Sequence, residues 1–381
     1  MTGPELPILE VADAVVSAQR EGPNLVLLAP PGAGKTTVVP GLLADRTALE
    51  GAVWVLEPRR LAARAAATQV ARARGVRLGQ DVGYRVRDDD RSSRDTRILF
   101  VTEGILTRRL VSDPLLEGVG AVVLDEFHER SVHADLGLAL AREVQEVRPE
   151  LRIVVMSATL DPGPVAAFLG DCPVVESRGR AFPLELRYLE RPDDRPVEDR
   201  VVAGVKRVLR ERPSGRDVLA FLPGAREIER ARRRLASDLE ERCEVLGLHG
   251  EMRPELQDRV MGGGGDRRRV VLATNVAESS LTIPGIDAVV DGGAVKRARY
   301  DVGSGVDHLE LGRIGRFSAE QRAGRAARLG PGLALRTWTE AEHRLLPRAE
   351  PPEIQRVDLA PTVLQVVAWG ADPQRFGWFE A

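Results

Sequence analysis

Short apolar runs rich in Val, Leu and Ile recur at 24–29, 52–56, 98–101, 120–124 and 153–156, separated by stretches with helical spacing. Hydrophobicity within each run is continuous rather than alternating, which marks strands covered on both faces. The pattern predicts a doubly wound α/β lobe, a parallel sheet flanked by helices. After the polar, Pro-containing stretch 187–196 the rhythm restarts, with runs at 218–222, 244–248, 270–273 and 288–290. A second α/β lobe is therefore expected, with the boundary between Gly170 and Arg195. Segments 295–300 and 306–311, joined by Gly303-Ser304-Gly305, read as an antiparallel hairpin projecting from that lobe. A helical apolar pattern over 358–369 begins a further element, and the glycine run 262–265 reads as a surface loop.

Composition adds bounds to this picture. A chain of 381 residues, 43% hydrophobic and 29% charged, is long enough for two packed cores. Lys and Arg total 55 against 57 Asp and Glu, so any groove for a polyanion must be local. The two cysteines, Cys172 and Cys243, lie far apart without metal-ligand spacing, which fits a reduced compartment and excludes a disulfide framework. Glu5, Glu10 and Asp13 precede any long apolar run, and no stretch reaches the roughly 18 apolar residues of a membrane span. The expectation is a cytoplasmic protein, neither secreted nor membrane-spanning.

Ala29-Pro30-Pro31-Gly32-Ala33-Gly34-Lys35-Thr36 follows the first strand and opens the first helix, the context in which a Walker A match is credible. Backbone N–H groups around 32–35 would cradle a β-phosphate, Lys35 would reach the β/γ oxygens and the Thr36 hydroxyl would hold Mg2+. Ala29 replaces the first glycine of the usual pattern, while the Gly-Lys-Thr core is intact. Asp125-Glu126-Phe127-His128 comes directly after the run 120–124, where side chains emerge at the carboxyl edge of a parallel sheet. Phosphoryl transfer to water needs one carboxylate for Mg2+ and one group to orient the water, and Asp125 and Glu126 suit those roles.

With Asp-Glu-Phe-His-Glu-Arg at 125–130 and Ser157-Ala158-Thr159 also present, the sequence resembles the DEAH-box/RHA helicases of superfamily two. Phe127 points to the HrpB-like bacterial branch. The resemblance runs from the phosphate loop to the end of the second lobe, with the motifs in family order. Pro58-Arg59-Arg60 and Thr102-Glu103-Gly104 look like the strand-contacting motifs of the first lobe, where phosphate contact fits. In the second lobe Phe221-Leu222-Pro223-Gly224 resembles the opening motif, and the segment 273–282 resembles the motif that touches both strand and ATP site. Gln321-Arg322-Ala323-Gly324-Arg325-Ala326-Ala327-Arg328 resembles the arginine-finger motif, with Ala327 where the family has glycine. Gln321, Arg325 and Arg328 are expected on one face of a helix.

The resemblance implies tandem RecA-like lobes at 1–178 and 179–340, with 341–381 as the start of a truncated C-terminal helical or winged-helix region. It implies ATP and Mg2+ as cofactors. The ATP site would comprise Pro31, Gly32, Ala33, Gly34, Lys35, Thr36, Thr37, Asp125, Glu126, His128 and Ser157, with Gln321, Arg325 and Arg328 from the second lobe. Thr36, Asp125 and Glu126 would hold the metal, and Lys35, Glu126, Gln321, Arg325 and Arg328 would act in catalysis. Arg59, Arg60, Thr102, Gly104, Thr274 and Asn275 would contact nucleic acid, single-stranded RNA or an RNA duplex with an overhang. The implied activity is that of a monomeric ATP-dependent RNA helicase. An ATP-gated clamp or remodeller without processive unwinding, and DNA as the strand, stay open, because backbone contacts say little about the sugar.

Overall fold

The strand β1 (Asn24–Leu28) shows how the first half folds: Val26 packs into one core, while its neighbours Leu25 and Leu27 pack into another. Successive side chains of a strand point to opposite faces, so a sheet with a core on each side needs unbroken apolar runs. In the computed structural model, residues 6–179, 182–239, 242–262, 267–278 and 283–380 are described. The chain divides into two units, Met1–Arg180 with Pro352–Ala381, and Ala181–Pro351.

The first unit runs α1 (Ala12–Glu21), β1, α2 (Lys35–Arg46), β2 (Ala52–Glu57), α3 (Arg60–Arg74), β3 (Val82–Val86), β4 (Asp89–Arg91) and β5 (Ile98–Thr102). It continues through α4 (Glu103–Ser112), β6 (Val119–Leu124), α5 (Val132–Val147), β7 (Arg152–Ser157), α6 (Pro162–Phe168) and β8 (Val174–Glu176). The eight strands lie in the order β4-β3-β5-β2-β6-β7-β1-β8, parallel except for the β3–β4 pair. α1, α2 and α3 cover one face, where α3 presents Ala63, Ala66, Ala67 and Val70 to the sheet. α4 and α5 cover the other.

The second unit contains β9 (Leu184–Leu189), α7 (Val197–Glu211), β10 (Asp217–Phe221), α8 (Ala225–Leu239), β11 (Cys243–Leu248), α9 (Pro254–Met261) and β12 (Arg268–Ala273). β13 (Ile286–Asp291), β14 (Ala294–Asp301), β15 (Val306–Arg313), α10 (Arg316–Gly324), β16 (Gly332–Thr339) and α11 (Glu340–Arg344) follow. Its parallel sheet has the order β11-β12-β10-β13-β16-β9. β14 and β15 form the separate antiparallel hairpin, in register from Ala294↔Arg313 to Asp301↔Val306.

Three differences from the sequence reading have physical causes. The stretch 187–196, expected to be linker, begins inside β9, an edge strand whose exposed positions dilute its apolar signal. β16 escapes notice because Arg336 interrupts it, yet that arginine is buried against Tyr188 and His343. The region 341–381 is divided, since Pro352–Ala381 belongs to the first unit. There α12 (Ala360–Trp369) contributes Val366, and the residues after it contribute Phe376 and Phe379, to the core beneath α4 and α5. Ser279, Ser280, Leu281 and Thr282 of the second-lobe motif, 263–265 of the glycine run and Glu5 lie outside the described residues.

Candidate functional site

The phosphate loop is shaped by two glycines in the left-handed region, Gly32 at φ 85° and Gly34 at φ 95°. Gly34 caps α2, and its carbonyl accepts from the Val38 and Thr37 amides and the Thr37 hydroxyl. The Ala33 amide returns to the Pro30 carbonyl at 3.1 Å. The strand-loop-helix order thus brings Lys35 and Thr36 to the first turn of a helix, where N–H groups and the dipole favour an anion.

β6 delivers the acidic pair to the same place. Lys35 Nζ lies 3.0 Å from Glu126 Oε1 and 3.6 Å from Asp125 Oδ1, with all three side chains buried. Burial alone would push Lys35 towards its neutral form, but Asp125 and Glu126 outweigh that and hold its ammonium above the ordinary value. The Thr36 hydroxyl donates to Asp125 Oδ2, and Asp125 Oδ1 accepts from the Glu126 amide at 2.8 Å. A hydroxyl and a carboxylate in contact are hard oxygen donors, the set that suits Mg2+. Glu126 adopts φ 51°, a left-handed conformation uncommon outside glycine, which opens the short 3-10 turn Phe127–Glu129. His128 Nδ1 is 3.6 Å from Glu126 Oε2 and 3.4 Å from Ser157 Oγ. Ser157 Oγ in turn accepts from the Thr159 and Leu160 amides at 3.3 and 3.1 Å. Six expected residues, Lys35, Thr36, Asp125, Glu126, His128 and Ser157, therefore form one connected cluster.

The expected strand-contacting residues sit at strand ends. Arg59 caps α3 after β2, Arg60 is exposed at its first position, and Thr102 caps α4 after β5. A Cβ at Gly104 would meet the His133 ring at 3.8 Å. In the second unit Thr274 follows β12, and its hydroxyl caps the 3-10 turn that begins at Asn275.

The arginine motif departs from the single helix expected. α10 ends at Gly324, and Arg325–Ala327 continues as a 3-10 turn. Glycine is a poor interior helix residue, and the change of winding starts there. Gln321 and Arg325 consequently lie on differently wound segments, while Arg325 and Arg328 are one 3-10 turn apart.

Comparison with known proteins gives this geometry its context. The DEAD/DEAH box helicase family matches residues 10–168, and the helicase conserved C-terminal domain matches residues 201–330. The chain belongs to the DEAD/DEAH box helicases. It is 40% identical over 378 residues to the ATP-dependent RNA helicase HrpB of Escherichia coli (strain K12), covering 98% of this chain and 46% of that one. It is 38% identical over 376 residues to the Homo sapiens ATP-dependent RNA helicase DHX33, covering 95% and 53%. The crystal structure of the Escherichia coli DEAH/RHA helicase HrpB matches it with a TM-score of 0.92 at 40% identity, over 99% of this chain and 48% of that one. The chain thus spans about half the length of the relatives it matches.

Several residues of this DEAD/DEAH box helicase chain that the motif reading gave no role anchor the turn after the acidic pair. Glu129 pairs with Arg59, Ser131 with Glu103, and Arg130 with Asp135 and Glu380. Glu129 and Arg130 lie inside the quoted 125–130 motif and Glu103 inside 102–104, so motif membership was the available signal. Asp135 lies five residues from Arg130, but the other partners come from 28 to 250 residues away, and nothing local marks those.

Proposed function

We propose that this chain is an ATP-dependent RNA motor that hydrolyses ATP to ADP and phosphate to translocate on or unwind RNA, acting in the cytoplasm. The observation that carries the reading is the buried cluster in which Lys35 spans Asp125 and Glu126 while Thr36 touches Asp125. On this reading the loop amides and Lys35 bind the β- and γ-phosphates, exchanging carboxylate partners for phosphate oxygens. Thr36, Asp125 and Glu126 would hold Mg2+, which would supply charge neutralisation to the bound phosphates. Glu126 orients the attacking water and accepts its proton, and His128 and Ser157 tie that carboxylate to the end of β7. Gln321, Arg325 and Arg328 supply hydrogen bonds and positive charge to the transferred phosphoryl group. Arg59, Arg60, Thr102, Gly104, Thr274 and Asn275 grip the RNA backbone, so binding is sequence-tolerant and salt-sensitive.

The test is steady-state ATPase of the wild type and Glu126→Gln, with and without single-stranded RNA or DNA at low salt. The reading expects RNA-stimulated turnover that the substitution abolishes. Stronger stimulation by DNA would reassign the strand, and absence of turnover in every condition would sink the motor.

A further inference from the structure

Two bonds in the first unit connect the turn carrying the acidic pair to the loops expected to meet the strand. Arg59 Nη1 lies 2.6 Å from Glu129 Oε1, across 70 residues of sequence. The two side chains are 21% and 22% exposed, so the pair sits at a rim that a ligand can reach. On the other side, the Ser131 hydroxyl donates to Glu103, the residue after Thr102, while accepting from the Ala134 amide at 3.0 Å to cap α5. Between these anchors the turn is short and tightly determined. Glu126 and Arg130 bound it with φ 51° and 49°, and the Glu129 amide donates to the Glu126 carbonyl at 2.9 Å. Left-handed backbone is unfavourable for residues with a side chain, so this turn is held by its surroundings rather than by local preference.

We propose that Glu129 is a positioning residue that couples RNA binding to the ATP site, because an RNA backbone phosphate competes with it for Arg59. The inference rests on the reading above that Arg59 meets RNA. Carboxylate and phosphodiester are alternative acceptors for one guanidinium fork, and an arriving phosphate also repels the carboxylate it replaces. Glu129 parted from Arg59 shifts the short turn whose other end is Glu126, which alters how that carboxylate addresses the water. RNA occupancy is thereby read at the hydrolytic residue without passing through the phosphate loop.

The experiment uses the full chain with Glu129→Gln and Glu129→Asp, an oligouridine as probe, fluorescence anisotropy for affinity and ATPase with and without that RNA. Glu129→Gln removes the competitor, so RNA binding at low salt is expected to tighten about two- to fivefold, the scale of one partly exposed ion pair. The ratio of RNA-stimulated to basal turnover is expected to fall at least about threefold, a coupling change within the usual range. Glu129→Asp is expected to restore part of that ratio. In the background of Arg59→Gln, adding Glu129→Gln is expected to cause no further loss of stimulation. A stimulated wild type whose Glu129→Gln form keeps both affinity and ratio overturns this proposal alone. Equal loss of basal and stimulated turnover with unchanged affinity also overturns it, since that is a merely structural role. A wild type that RNA does not stimulate overturns the RNA reading and this proposal with it.

Discussion

Arg322 Nε lies 2.8 Å from Glu278 Oε2 inside the second unit, where its guanidinium is 1% exposed. Its Nη1 reaches Asp291 Oδ1 at 3.0 Å, and the group stacks over the Phe221 ring with 4.9 Å to the centroid. The Ser318 hydroxyl also donates to Glu278, and the Arg325 guanidinium donates to the Glu278 carbonyl. One buried cation thus organises three of the second-lobe motifs and holds the residue against which Arg325 rests. Burial would weaken its charge, but Glu278 and Asp291 hold Arg322 protonated well above the ordinary arginine value.

Arg322→Ala would leave the buried Asp291 and the partly buried Glu278 without their cation, a change worth about 3–5 kcal/mol. Urea denaturation of the chain is expected to show that loss. Arg322→Lys keeps the charge but not the fork, so it is expected to retain more stability while lowering turnover through the displaced Arg325. Stability and ATPase are measured on the same samples.

Nucleotide affinity is expected to fall about tenfold or more in Lys35→Ala, the scale of a lost hydrogen bond to a charged group. Gly34→Ala forces a side chain into φ 95° and puts its Cβ 3.0 Å from Leu6 Cδ1, so it too is expected to weaken binding. The backbone cost alone is about 1–2 kcal/mol. Titration with a fluorescent ATP analogue checks both.

Burial pushes the Glu103 carboxyl up to about 8; the Ser131 hydrogen bond opposes that, and the nearby Glu129 and Glu353 add to it. A carboxyl raised in the folded state stabilises the fold below its ordinary value, and the contribution is lost as pH rises through the folded value. Thermal stability is therefore expected to decline from pH 4.5 to about 8 by this group's contribution. Glu103→Gln is expected to flatten that part of the profile in melting curves taken across the same window.

Phe379 is 2% exposed, with its ring 5.6 Å from Phe127 and 5.3 Å from Phe168, and the Arg130 guanidinium stands 4.6 Å over it. Phe379→Ala is expected to cost the first unit about 3 kcal/mol. Because Phe127 follows Glu126 directly, turnover is expected to fall as well. Denaturation and ATPase measured together would show whether the two losses coincide.

The parallel strands could be read from sequence because both faces of each are buried, which leaves unbroken apolar runs such as 120–124. β3, β8, β9 and β16 could not, since Gly83 and Arg85 break the run in β3, exposure dilutes the edge strands β8 and β9, and Arg336 interrupts β16. Lys35, Thr36, Asp125 and Glu126 were legible as chemistry because loop and strand-end positions tie them to one edge of one sheet.

The sequence by itself determined the two α/β lobes, the hairpin and the identity of the phosphate-loop and acidic residues, since these depend on local periodicity and motif spacing. Only the tertiary structure decided that Pro352–Ala381 packs on the first unit, that Arg325 leaves the α-helix, and that Arg59 meets Glu129. Those outcomes depend on which distant side chains share a buried or half-buried space, and the energy of such pairings is set by proximity in three dimensions rather than by neighbours along the chain.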